Sequence, residues 1–292
     1  MHLVNSDQPG APMISQVIEI DAPMARRMLE NNPNNRPVRQ ARVQQYYDDM
    51  VSGRWLFNGE AIKLGPDGEL LDGQHRLQAI ARTSGQKFPM LVVRGLSPDT
   101  QVTMDQGARR TPADQLTLTG IAGHNTTMVA AALRVYIPWL EGNLFGDFTR
   151  TAVSTTRIVE FATVYPETVA LAERFTSVAS RLKCRPAVAC AALIRLTEID
   201  EDAAAEFLRL WDSMIGLPAG SPILALRQRL DHLHTHKIRT SDRDQIGLIV
   251  AAWNLWRRGK SVSKLQRPKG GFTAENFPEP AYPFGRRRGG RR

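Results

Sequence analysis

The spacing of apolar residues changes about a third of the way along the chain. Residues 15–20, SQVIEI, alternate polar with branched apolar side chains, the period-two pattern of a strand. Asp21 then stands where a helix N-cap belongs, Met28 and Leu29 lie on the apolar side of the helix that follows, and NNPNNRP stops it. A second helix is predicted over about 39–52, where Val43, Tyr46, Tyr47, Met50 and Val51 share a side and Gly53 ends the run. EAIKL and ELL flank GPDG, a hairpin signal with turn-forming residues at its centre. LLDGQHRLQAI (70–80) passes from strand pattern to helix pattern, and that helix is predicted to run to about Gly85. FPMLVVRGL reads as a short buried strand, and Pro98 opens a further helix ending near Gln106-Gly107.

From Thr111 onward the period is helical, over 111–119, 125–141, 154–164, 166–182, 186–199, 201–215, 221–237 and 242–258. No strand is predicted there. The fold class is therefore α+β: an α+β N-terminal domain over 15–115, then an all-helical C-terminal domain over 116–260. Residues 1–14 read as a flexible N-terminus. Residues 261–292, rich in Pro, Gly and Arg, read as an irregular basic tail.

Composition changes this picture in three places. Hydrophobic residues make up 42% and charged residues 23%, which suits a soluble globular protein. The longest apolar stretches, such as AVACAALI, fall far short of the ~18 residues that span a bilayer, so no membrane segment is expected. The N-terminus lacks the pattern of a signal peptide, and Cys184 and Cys190 are spaced as neither a CxxC pair nor a useful disulfide. Both read as reduced and buried in a cytoplasmic protein. The formal charge of +9 is concentrated at one end, with Arg286, Arg287, Arg288, Arg291 and Arg292 among the last seven residues. Such a tail suits salt-sensitive, sequence-independent binding to nucleic acid, or simply keeps the chain soluble.

The strand-to-helix string carries the most specific chemistry. A new helix exposes backbone amides at its start, and its dipole favours an anion there. Gly73 would let a phosphate approach the main chain, Arg76 could offer a bidentate fork, His75 a further donor, and Gln74 a hydrogen bond to phosphate, base or water. Asp72 is read as the helix N-cap or as an outer ligand for Mg²⁺. The bland alternative is a capped helix whose polar first turn faces water. Neither GxxxxGK[ST] nor a GxGxxG after a strand is present, so the common phosphate loops do not explain the turn.

The strings NRPVRQARVQQYYDDMVSGRW, GEAIKLGPDGELLDGQHRLQAI and MDQGARRTPADQL together resemble the ParB/sulfiredoxin superfamily, in the branch carrying a DGQHR motif. The resemblance covers about Arg36 to Leu116. Uncharacterised actinobacterial and phage proteins look similar over more of the chain, including AWNLWRRGK. The resemblance implies a ParB/sulfiredoxin-like N-terminal domain that binds a nucleoside triphosphate, CTP or ATP, with Mg²⁺. Gly73, Gln74, His75 and Arg76 would contact the phosphates. Coupling to DNA or a partner, a homodimer, and slow hydrolysis are further implications. Gln74 departs from the pattern, standing where ParB-type proteins have a glutamate and sulfiredoxin its cysteine nucleophile. Without that cysteine sulfiredoxin chemistry is not expected, and since an amide is no general base, neither is a carboxylate-driven hydrolysis at that position.

Other residues offer weaker signals. Arg36, Arg39 and Arg42 recur every three residues, and the comparable segment of the superfamily lies beside the nucleotide; the alternative is a solvated face balanced by Asp48 and Asp49. In DQGARRTPADQL, Thr111, Pro112 and Asp114 fit a capping box, which leaves Arg109 and Arg110 for the same anion or for a nucleic acid backbone. His232, His234 and His236 lack the further ligands that zinc requires. Trp253 and Trp256 predict core or a contact with a second copy rather than a base-stacking platform. A nucleotide-free DNA-binding protein, and a kinase or other transferase using Asp72, Glu60 or Asp105 as base, are the competing functions.

Overall fold

The computed structural model describes residues 12–33, 35, 37–104, 110–145 and 153–283. The expectations for residues 1–11, Arg36, Asp105, Arg109 and the five terminal arginines lie outside the described residues. The structure is mixed α+β, and its packing divides the chain into two units, 1–109 with 147–157, and 110–146 with 158–292. No described helix is long and apolar enough to cross a membrane.

The first unit begins with β1 (Ile14–Ile20) and α1 (Ala22–Glu30), where Asp21 caps by accepting the Met24 amide at 2.9 Å. After α2 (Gln40–Val51) come β2 (Ala61–Leu64) and β3 (Leu70–Asp72), the antiparallel hairpin that GPDG predicts. Then α3 (Gln74–Ile80) leads to β4 (Phe88–Arg94) and a 3-10 helix over Pro98–Thr103. The sheet order is β1-β4-β2-β3, with β4 antiparallel to β1 and parallel to β2. A parallel pair needs a long crossover, and β3 plus α3 supply it. Ile62, Leu64, Leu77, Ile80, Met90 and Val92 form the buried centre under α1 and α2. The edge strand β1 leaves Ile14 and Val17 exposed.

Two predicted helices are shorter than their patterns. α3 stops at Ile80, because the Thr83 hydroxyl donates to the Ile80 carbonyl at 2.7 Å and Arg26 donates to the Ala81 carbonyl at 2.7 Å. Side chains thus take the acceptors a continuing helix would use. The segment after Pro98 coils as a 3-10 helix and ends at Thr103, with the Thr100 amide already bonded to Ser97.

Among the described residues the second unit is helical throughout: α4 (Pro112–Leu118), α5 (Thr126–Leu140), α6 (Thr155–Val164, its first residues assigned to the first unit), α7 (Pro166–Ala179), α8 (Pro186–Ile199), α9 (Glu201–Ser213), α10 (Pro222–Thr235) and α11 (Asp242–Arg257). The capping box is present. Thr111 and Asp114 exchange bonds at 2.7 and 3.2 Å, and the Thr111 amide, then its hydroxyl, holds the Asp114 carboxyl below its ordinary range. α8 is buried along most of its length, as befits a helix at the centre of a bundle. Cys190, on this helix, is fully buried and Cys184 half-buried, and burial pushes both thiols up to about 12.

The stretch 261–283 contains no helix or strand, yet it packs closely. Leu265 and Phe272 are buried, and the Phe272 ring fills the space that a Cβ on Gly247 would enter, 2.5 Å from its ring carbons. Asp244 near the start of α11 receives the Phe272 amide at 3.1 Å and Arg267 at 2.9 Å. Burial would raise its carboxyl, but these bonds and Ser241 outweigh burial and hold it below its ordinary value.

Candidate functional site

Gly73 is the hinge of the predicted site, and its surroundings add to the expectation for it. It adopts φ +103°, which favours glycine, and a Cβ there would lie 2.4 Å from Ile62 Cδ1 and 3.2 Å from Ile62 Cα. The close approach of β2 is therefore one reason the position takes glycine. Asp72 is not the helix cap, since Gly73 occupies that position and Asp72 Oδ1 accepts the Gly73 amide at 2.7 Å. The other Asp72 oxygen lies 3.5 Å from Lys63 Nζ and 3.7 Å from Arg76. Asp72 thus lies beside two cations, and no group of three metal-ligating residues exists among the described residues.

Arg76 departs furthest from its expected role. It is 6% exposed, and its guanidinium donates to the carbonyls of Glu60 at 2.6 Å and Ala61 at 2.9 Å. The fork predicted to grip phosphate instead holds the chain at the start of β2. The Ala61 bond is buried and the Glu60 bond partly so, and carbonyls in such places gain from a charged donor. Gln74 and His75 are also buried. Gln74 Oε1 accepts from Asn32 Nδ2 at 3.0 Å. His75 Nε2 accepts the Arg39 amide at 3.1 Å, so the ring's donor in this tautomer is Nδ1.

The partner of the turn is thus the loop 31–39, whose asparagines the sequence pattern marks only as a helix stop and whose Arg39 it offers as a phosphate contact. Asn31 accepts the Leu70 amide at 2.8 Å, Asn35 donates to the Leu70 carbonyl, and Gln101 donates to the Leu71 carbonyl at 3.0 Å. These polar groups cover the free edge of β3, which would otherwise present unpaired amides and carbonyls. The usable signal was the density of asparagine in NNPNN, since Asn side chains bond readily to backbone. The Arg39 side chain is exposed and has no partner among the described residues. The structure therefore brings Arg39, Gln74 and His75 together, with Arg39 at the surface and the other two beneath.

The remaining expectations divide. Arg110 is exposed and belongs to the second unit. Arg42 is not a free cation, since it bonds the Tyr46 hydroxyl at 3.0 Å and lies over that ring. Asp49, read as a surface counter-charge, is buried and accepts from Arg54 at 3.1 Å, Ser154 at 2.9 Å and Thr156 at 2.7 Å. Burial also pushes the Asp48 carboxyl up against the lowering effect of Gln44. His232 and His236 stack at 4.2 Å with no carboxylate or thiol cluster around them among the described residues. No family model, no curated protein and no solved structure matches the chain.

Proposed function

We propose that the first unit is a ParB-like nucleotide-binding module, with its anion site at the outer face of the 31–39 loop where that loop meets the DGQHR turn. What supports this reading is a single contact: the Arg39 amide bonds to His75 Nε2 at 3.1 Å. This contact joins the two segments that the family resemblance assigns to nucleotide, and it leaves the Arg39 guanidinium exposed above them. In this reading Arg39 contacts phosphate, His75 and Gln74 fix the loop, and Arg76 and Gly73 hold the turn against β2. Mg²⁺ would arrive with the phosphates, because Asp72 is already flanked by Lys63 and Arg76. DNA or a second copy of the chain would be the partner whose engagement the nucleotide changes.

The test is equilibrium binding of labelled CTP, ATP, GTP and UTP to the full chain and to Arg39→Ala. One triphosphate is expected to bind, with affinity reduced about tenfold in the variant, as befits loss of one charge-assisted contact. Failure of all four to bind overturns the proposal. That failure would favour a second reading, in which the turn is purely architectural, supported by the commitment of Arg76 to two carbonyls.

A further inference from the structure

The C-terminal end of α11 and the strap after it enclose a cleft of about 640 Å³, lined by Trp256, Arg257, Arg258, Ala281 and Tyr282. That volume suits a ligand of nucleotide size. Both aromatic walls are fixed in place. Trp256 is half-buried against Phe207, ring centres 5.5 Å apart, and against Trp253 at 5.6 Å. Tyr282 receives a hydrogen bond from Arg195 at 3.1 Å. The strap itself is pinned by Asn254, which donates to the Glu279 carbonyl at 2.8 Å and accepts the Ala281 amide at 2.7 Å. Trp253 donates to the Ala281 carbonyl at 3.2 Å.

The charges of the cleft are equally specific. Arg257 is neutralised by Asp200 at 2.6 Å and lies over the Trp253 ring. Arg258 is exposed and has no carboxylate partner among the described residues. No acidic residue occurs between Arg257 and Ala274, a stretch that also holds Lys260, Lys264 and Lys269, while its Arg267 is taken by Asp244. An open cleft with rigid ring walls and an unpaired cation at its mouth suits a flat π-system joined to an anion.

We propose that this cleft binds single-stranded nucleic acid, taking one unpaired base against Trp256 and Tyr282 and the adjoining phosphate on Arg258. A strand is favoured over a compact ligand because the cations continue along the chain beyond the cleft. A duplex keeps its bases stacked inside and cannot offer one. The proposal is independent of the nucleotide reading of the DGQHR turn, and it stands or falls on a different ligand.

Fluorescence anisotropy with the full chain tests it, using a short labelled single strand, the same strand with abasic sites, its duplex, and a poly-glutamate peptide. The intact strand is expected to bind about tenfold more tightly than the abasic strand, the cost of one lost stacking contact. Trp256→Ala and Tyr282→Ala should each shrink that difference. Arg258→Gln should keep it while lowering the slope of log affinity against log salt by about 0.7. Removing residues 284–292 should weaken all polyanions and leave the preference for bases intact. The strand comparison uses the unaltered protein, so it stands even if Trp256→Ala unfolds. Equal affinity for intact and abasic strands overturns the proposal. So does a base preference that survives both aromatic substitutions, or poly-glutamate or duplex binding as tightly as the strand.

Discussion

In the first unit, Arg76 is 6% exposed and donates to the Glu60 and Ala61 carbonyls. In the second, Arg258 stands in water just past the end of α11. Arg76 stands in the first turn of its helix and Arg258 just past the end of its own, and Arg76 reads from sequence as a cation able to meet phosphate. The difference lies in what surrounds the guanidinium. Arg76 sits one helical turn beyond Asp72 and beneath the start of β2, whose carbonyls need donors. Beside Arg258, the neighbouring Arg257 has taken Asp200 as its carboxylate, and Arg258 itself has none among the described residues. An arginine becomes architecture where the fold supplies unsatisfied acceptors, and remains available where another cation has satisfied them first.

This contrast can be broken most directly at Arg76. Arg76→Ala is expected to cost about 3 kcal/mol in urea unfolding, because two carbonyls and Asp72 lose their donor. A loss under 1 kcal/mol (roughly the value of one ordinary hydrogen bond) would remove the architectural role. A loss of nucleotide binding without loss of stability would return Arg76 to the ligand site.

Asp244 gives an intermediate effect and carries a pH signature. Asp244→Asn is expected to lower stability at neutral pH by about 2 kcal/mol, through weakened bonds to Arg267 and the Phe272 amide. Its folded carboxyl lies below the ordinary value of 3.8, so its stabilisation is fully present above that pH and is lost as pH falls through the folded value. The gap between wild type and variant should therefore close on acidification below about pH 3.8. A gap that stays constant into stronger acid would assign the loss to packing instead.

The smallest effect is expected at Arg258. Arg258→Ala should change stability by no more than ~0.5 kcal/mol, as for a surface residue without partners. A larger loss would show that Arg258 supports the fold, as Arg76 does, and would sharpen the comparison in the opposite direction.

Much of the architecture was legible from local pattern. The Asp21 and Thr111 caps, the GPDG hairpin, the strand at 88–94 and the run of helices after Thr111 all follow from rules acting within a few residues. Trp253 was read as core or a second-copy contact, and it is fully buried within its own unit. The lengths of α3 and of the Pro98 helix were not legible, because Arg26 and the local hydroxyls decide them. Nor were the contents of the candidate site. Gly73 in sequence says only that a Cβ is excluded; Ile62, brought over by β-pairing, says what excludes it.

The sequence by itself determined where helices and strands begin, which faces are apolar, and which residues carry charge, since periodicity, capping and composition are properties of neighbours along the chain. Tertiary structure alone decided the use of each polar group. Which ring nitrogen of His75 accepts, whether Arg76 or Arg258 meets water, and whether Tyr282 and Trp256 line one cleft depend on acceptors and rings contributed from residues tens of positions away. Hydrogen bonds and ion pairs have strength only at contact distance and in a given degree of burial, and neither is written in local sequence.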